Sequence, residues 1–367
     1  MARKIFIAAS GQNAGKTTVS LSLLHLAQKK YKRVGFMKPI SPKPIQLRGL
    51  TVDKDAALMC QVFGLGRDLC HMSPVVIEGD STRKFIDGQL DTRVLEQNIL
   101  DACAALEKHC DFIIIEGAGH PGVGSVVGLS NARVARILNA SVLMVTGGGV
   151  GNVIDSVHLD RALFEREEVE IRAVLVNKLI PEKRDTTLDY LSRAFVREPF
   201  RLLGGFNYQP ILADPTLRRV ANILNLEIHG NKRESKRIIH FLQIGAPSTQ
   251  RVTELLRDDT LLIVTSSRDE LLITLANMYQ IPEHRHKIVG LLIPGVAKVS
   301  PIAQQIVDRS KIPYMRTTQH TTGVLYRAIT EDVYKLTAED VGKIEMIRSL
   351  AETRFDFDEL DRLFDGG

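Results

Sequence analysis

Near its start the chain runs Ile5-Phe6-Ile7-Ala8-Ala9 directly into Ser10-Gly11-Gln12-Asn13-Ala14-Gly15-Lys16-Thr17-Thr18, then into Val19, Leu21, Leu23, Leu24, Leu26 and Ala27. A short apolar run, a loop of small residues and apolar positions at helical spacing form the strand, loop and helix that a phosphate-binding loop requires. Small residues let backbone N–H groups curl around phosphate oxygens, the helix N-terminus adds partial positive charge, and Lys16 adds a full one. Gly11, Asn13, Gly15, Lys16, Thr17 and Thr18 are therefore expected to hold a nucleoside triphosphate, with the Thr17 hydroxyl on Mg²⁺. The first position of GxxxxGK[ST] holds Ser10, and the extra glycine one place later, Gly11, keeps the loop small. A tight turn with a chance Gly-Lys-Thr is the competing explanation, and the flanking pattern argues against it.

Further apolar runs of strand length follow at Val34–Lys38, Phe112–Glu116, Val142–Val145, Ala173–Asn177 and, more weakly, Leu202–Phe206, separated by segments of helical periodicity. This βαβ rhythm predicts an α/β fold with a doubly wound, mainly parallel sheet. A polar stretch from Gln209 to the basic run Lys232–Arg237 marks a boundary. Strand-like runs resume at Ile238–Ile244, Leu261–Thr265 and Ile288–Ile293, with a weaker one near Tyr314 and a helical pattern over Ala338–Thr353. The division expected is a P-loop domain over 1–210, a linker over 211–234 and a second, smaller α/β domain over 235–367, with the acidic ending Asp356–Asp365 as a frayed, solvated terminus.

Composition narrows the class. The 367 residues are enough for two cores. The formal net charge of +5 is spread along the chain, too small and diffuse to point to nucleic acid. No apolar run reaches the roughly 20 residues that span a bilayer, so no membrane partner is expected. Cys60, Cys70, Cys103 and Cys110 form no CxxC pair, and Arg3-Lys4 run straight into a strand rather than a leader, which reads as a reduced, cytoplasmic protein.

Other residues complete a candidate site. Ile113-Ile114-Ile115-Glu116-Gly117-Ala118-Gly119 puts a carboxylate at the C-terminal end of a buried strand, where open α/β sheets bind ligands. Glu116 is the first Mg²⁺ candidate, against the alternative of a helix cap. Lys38-Pro39 brings a cation to the same edge, and Asp53 and Asp55 open the next apolar segment. Lys38 can clamp a transferring phosphoryl group and Asp55 can be a second metal ligand, because phosphoryl transfer is mostly positioning and charge neutralisation. A surface lysine and a helix N-cap are the bland alternatives. His120, in the Gly-rich turn, is either a proton shuttle or phosphate contact, or a histidine bonded to backbone. Gly147-Gly148-Gly149-Val150-Gly151-Asn152 leads into a helix and is either an anion-binding turn or a connector. Asn177-Lys178-Leu179-Ile180 lacks the Asp of a guanine-reading NKxD, which favours ATP.

Lys16-Thr17, Lys38-Pro39, Asp55, Glu116-Gly117-Ala118-Gly119 and Asn177, in this order, resemble dethiobiotin synthetase and its relatives, including cobyrinic acid a,c-diamide synthase, over about the first 210 residues. The resemblance implies that Lys38 touches phosphate and substrate, that Asp55 and Glu116 hold Mg²⁺, that Asn177 reads adenine and that the protein is a homodimer. Gln12-Asn13-Ala14 and His120-Pro121-Gly122 depart from that pattern, so the diamino-acid substrate is not carried over. From Ile238 onward the chain resembles the DRTGG domain of long bacterial phosphotransacetylases. Ser266-Ser267-Arg268-Asp269-Glu270 stands at the Gly-Asp-Arg stretch, Leu292–Val296 at Thr-Gly-Gly, and Asp332-Val333, Thr337–Asp340 and Lys343-Ile344 at the closing pattern. Arg268 and Asp269 form either a small-anion site or an intra-loop ion pair.

Two functions follow. In the first, Mg²⁺-ATP held by Lys16, Thr17, Asp55 and Glu116 phosphorylates a carboxylate or carbamate for attack by an amine, or is simply hydrolysed. In the second, the P-loop half senses ATP with little or no turnover and signals through the DRTGG-like half to a partner or oligomer. No cysteine sits in the elbow of a glutaminase nucleophile, which argues against a cobyrinic-acid-type amidotransferase.

Overall fold

The computed structural model describes residues 2–331 and 335–365. The chain divides into two compact units, 1–209 with 341–367, and 210–340.

The first unit is built on a six-stranded sheet of β1 (Arg3–Ala9), β2 (Val34–Met37), β3 (Phe112–Glu116), β4 (Val142–Gly147), β5 (Ile171–Asn177) and β6 (Arg201–Gly204), in the order β6-β5-β4-β1-β3-β2. Every pairing is parallel. Strands covered on both faces need apolar side chains at nearly every position, and β2 and β3 are buried throughout. Alternation sorts the two faces: Phe6, Ala8, Ile113, Ile115, Val142, Met144, Val174 and Val176 share one core cluster with Ile99, Val134, Val153 and Phe164 from helices. Strand order reverses around β1, so the ends of β1, β3 and β4 border the switch point where such sheets bind ligands.

Helix α1 (Lys16–Lys30) leaves β1 with Gly15 as N-cap, no side-chain cap and no acid in its first turn. The uncapped N–H groups and the positive end of the helix dipole thus stay available at the sheet edge. Helix α2 (Lys54–Phe63) is capped by Asp53, whose side chain accepts from the Asp55 N–H. Between β2 and α2 lies a hairpin of Pro44–Leu47 with Leu50–Asp53.

Two expectations need correction. The acidic ending is not frayed: α3 (Val341–Arg354) and α4 (Phe357–Leu363) fold with the first unit, and Asp361 is buried, meeting Arg3 at 2.5 Å, Lys30 at 3.0 Å and the Tyr31 hydroxyl at 2.8 Å. Phe357, Leu360 and Phe364 recur at helical spacing and are buried, which gives this segment an apolar face to cover. The segment 211–234 is likewise no linker, because Leu217–Leu224 is a helix whose Leu217, Val220, Ala221 and Leu224 lie in the core of the second unit.

The second unit is a four-stranded parallel sheet of β7 (Phe241–Ile244), β8 (Thr260–Ile263), β9 (Ile288–Pro294) and β10 (Tyr314–Thr317), in sequential order. Helices cover both faces and give it two cores. Asp332 and Val333 lie outside the described residues. All four cysteines are free, and burial pushes Cys103 and Cys110 up to about 11. Among the described residues no helix is long and apolar enough to cross a membrane.

Candidate functional site

The loop Ser10–Gly15 leaves β1 with Ser10 N–H donating to the Val145 carbonyl at 3.0 Å and Ser10 Oγ donating to Thr146 Oγ1 at 3.0 Å. Asn13 takes a left-handed φ of 63° and is exposed. Gly15 has φ +99°, and a Cβ there would lie 2.3 Å from Asn177 Nδ2. Only glycine meets both demands. Asn177, at the end of β5 and buried, donates to the Ala14 carbonyl at 3.0 Å and accepts from Phe206 N–H at 3.1 Å. Its amide is thus tied to the loop and to the end of β6.

Lys16 is 8% exposed and donates to the Gly119 carbonyl at 2.5 Å. Glu116 is wholly buried, and both its oxygens are engaged: Oε1 accepts from Lys38 Nζ at 2.8 Å and Thr17 Oγ1 at 3.3 Å, and Oε2 accepts from Ser20 Oγ at 2.7 Å. Lys38 is also buried, and its ammonium reaches Asp55 Oδ2 at 2.9 Å and the Gly117 carbonyl at 3.3 Å. Burial pulls the Lys38 pKa down, but Glu116, Asp55 and Asp53 outweigh it and hold the ammonium well above the ordinary lysine value. Lys38 is therefore no surface lysine, and Asp53 rather than Asp55 is the helix cap.

Five residues named from the sequence, Lys16, Thr17, Lys38, Asp55 and Glu116, thus meet at one sheet edge. Thr17 Oγ1, Glu116 Oε1 and Asp55 Oδ2 are all oxygens, and the two carboxylates converge on a single ammonium. That donor set suits a hard divalent cation such as Mg²⁺. Other residues stand apart. Gly11 has open space around its Cα, Thr18 is half-buried with its carbonyl accepting from Ser22 Oγ, and His120 is exposed with Nδ1 accepting from Gly122 N–H at 3.2 Å. The Gly147–Gly149 turn does open a helix, Val150–Arg166, and the Asn152 side chain folds back onto the Gly147 carbonyl at 3.2 Å. In the second unit Arg268 pairs with Glu270 and donates to the carbonyls of Gly245, Ala246 and Pro247, so it pins the neighbouring loop.

Sequence reasoning missed Ser20, Thr146 and Asn131. Ser20 lies three residues after Thr17, on the same face of α1, and that spacing was the available signal. Asn131 carries no motif at all.

An AAA domain model matches residues 3–227, and a DRTGG domain model matches residues 219–329. The phosphate acetyltransferase of Pseudomonas aeruginosa is 26% identical over 78% of this chain and 41% of its own length. That of Synechocystis is 23% identical over 88% of this chain and 46% of its own. The chain thus spans about half the length of these curated relatives. The ATP-dependent dethiobiotin synthetase BioD of Clostridium kluyveri is 26% identical over 48% of this chain and 75% of its own. Among solved structures, the septum site-determining protein MinD complexed with Mg-ADP from Pyrococcus horikoshii covers 58% of this chain and 84% of its own, at 16% identity and a TM-score of 0.35. With the domain model covering well over half of the chain, the protein belongs to the AAA domain family, followed by a DRTGG domain.

Proposed function

We propose that the first unit binds Mg²⁺-ATP and transfers its γ-phosphoryl group to a small carboxylate or carbamate, which an amine then attacks. The observation that carries this reading is the convergence of Lys38, Asp55 and Glu116 from three separate elements beside the P-loop lysine. A buried cluster of two acids and an amine is a costly way to stabilise a fold, since apolar residues of similar volume do as well or better. As a holder of a charged substrate it has a purpose.

In this reading the loop N–H groups and Lys16 bind the phosphates, and Asn177 keeps the loop in shape. Thr17, Asp55 and Glu116 would hold Mg²⁺, which supplies neutralising charge to the phosphate oxygens. Lys38, relieved of sole charge of the two carboxylates, orients the acceptor acid and the transferred group. The bond between the β,γ-bridging oxygen and Pγ breaks, a carboxylate oxygen takes the phosphoryl group, and ADP leaves; the amine then attacks the carbonyl carbon of the mixed anhydride, the C–O bond to the phosphoryl group breaks, and inorganic phosphate leaves. His120 is exposed and bonded within its own turn, so it is assigned no proton transfer. One relative is named as an ATP-dependent synthetase and others as phosphate acetyltransferases, and the ATP dependence of the first is in keeping with this choice.

The test is release of inorganic phosphate or ADP from Mg²⁺-ATP by the full chain, alone and with a panel of small acids and amines. Turnover that rises with an acid, and falls at least about a hundredfold in Lys38→Ala, is expected for a group acting on the transferred charge. Binding with ligand-linked stabilisation and no turnover under any addition would replace catalysis by ATP sensing through the second unit.

A further inference from the structure

The turn Gly117–Pro121 follows the Mg²⁺ candidate Glu116 and supplies the carbonyl on which Lys16 rests. Two glycines make it intrinsically loose, since glycine gives up the most conformational freedom on ordering. Besides the contacts of Lys38 with the Gly117 carbonyl and of Lys16 with the Gly119 carbonyl, the Asn131 side chain holds it at several points. Asn131 opens a short helix, Asn131–Ile137, that Ser130 caps through Arg133 N–H. It is 2% exposed. Its Oδ1 accepts from Ala118 N–H at 3.0 Å, and its Nδ2 donates to the carbonyls of Ala118 at 2.6 Å and His120 at 2.7 Å. Its own N–H donates to the Pro121 carbonyl at 2.9 Å. The Gly117 backbone passes so close that a Cβ there would lie 2.8 Å from Asn131 Oδ1. Gly119, with φ +53°, lies between the two residues whose carbonyls Asn131 grips.

We infer that Asn131 is a positioning residue for Lys16: by fixing residues 118, 120 and 121 it fixes the Gly119 carbonyl, and with it the place of the Lys16 ammonium. Asparagine suits this task because it offers an acceptor and two donors on one short planar group. Aspartate is nearly the same shape but turns the two donors into an acceptor facing two carbonyls. The value of this for phosphate binding rests on the function proposed above; the positioning itself does not.

Selective chemical labelling separates positioning from general support. The full chain and its Asn131→Asp and Asn131→Ala variants are treated briefly with an amine-acetylating ester, and modification of Lys16 and Lys38 is followed by peptide mass spectrometry. Lys16 is expected to react about fivefold faster or more in both variants, the factor that follows when buried hydrogen bonds opposing a local opening are lost, while Lys38, which is buried and held by Asp55 and Glu116, keeps its wild-type rate. An unchanged Lys16 rate in a folded variant overturns the inference, and so does equal acceleration of both lysines, which marks general loosening. Should the variants not fold, the wild type decides. Exchange of the Ala118 amide and labelling of Lys16 are then expected to share one urea dependence, and labelling without exchange overturns the inference. Failure of the wild type to bind Mg²⁺-ATP would sink the function proposed above and leave the labelling result standing.

Discussion

Lys38 shows how one residue can serve stability and chemistry together. Its raised pKa means that its contribution to folding is complete below the ordinary lysine value of 10.5 and is lost only as pH climbs through the higher folded value, so it is constant at neutral pH. Lys38→Met removes the buried ammonium on which Asp55 and Glu116 converge. A loss of about 3–5 kcal/mol at pH 7 in urea unfolding is expected, partly restored by millimolar Mg²⁺. A loss below about 1 kcal/mol, the scale of an exposed pair, contradicts this account of the cluster. Asp160 is the opposite case. It shares the inner face of its helix with Val153, Val157 and Phe164, its Oδ2 has no hydrogen-bond partner among the described residues, and burial pushes its pKa up to about 6. A carboxyl with a raised folded pKa costs stability as pH rises from the ordinary value of 3.8 through that higher one. Asp160→Asn is therefore expected to gain about 1–2 kcal/mol near pH 7.5, after allowance for solvent screening, and nothing below about pH 4. Equal gains at both pH values would show that the charge is not the cause.

Elements were readable from the sequence where covalent neighbours set their partners. All six strands of the first sheet and all four of the second show as apolar runs, most clearly the inner ones, because a strand buried on both faces has little room for polar residues; the edge strands β6 and β7 are half-buried to exposed, and β6 reads more weakly. The loop residues Gly15 to Thr17, Lys38, Asp55 and Glu116 could be named because each lies at the end of such a run or at the start of a helix. Asn131 could not, since it sits in an ordinary first turn and only the fold brings it to the site, and Ser20 shows only through its three-residue spacing from Thr17. The helical pattern over Ala338–Thr353 matches α3, but which unit the C-terminal helices join was not legible, for a related reason. Their apolar spacing says that they are covered, but not by what. The contact carries a test: the Asp361 carboxyl feels burial, which raises its pKa, and the stronger pull of Arg3, Lys30 and Tyr31, which lowers it overall. Its contribution is thus present above the ordinary carboxylate pKa and lost as pH falls through the folded value. Asp361→Asn is expected to cost about 2–3 kcal/mol at pH 7, and progressively less below about pH 4. A cost independent of pH would point to shape rather than charge.

At the scale of the whole molecule, a chain that leaves the first unit at residue 209 and returns at 341 treats the second unit as an insertion before its last two helices. No linear scan for a boundary finds such an arrangement, because the polar stretch near 209 is real and the return at 341 has no equivalent mark. Hydrogen exchange with and without Mg²⁺-ATP distinguishes the two functional classes. Protection confined to 2–209 and 341–365 is expected for an enzyme whose site lies within the first unit. Protection that spreads to β7–β10 would favour sensing through the second. Titration calorimetry of the full chain with ATP, in the presence and absence of Mg²⁺, reads out whether the Lys16 loop holds a triphosphate whose divalent ion rests on Asp55 and Glu116. Saturable binding at one site per chain is expected, weakened at least about tenfold by Asp55→Asn, by Lys16→Ala or by removal of Mg²⁺, since each removes a charge-assisted contact. Absence of heat and of thermal stabilisation with every Mg²⁺-nucleotide, or binding indifferent to all three changes, would contradict it.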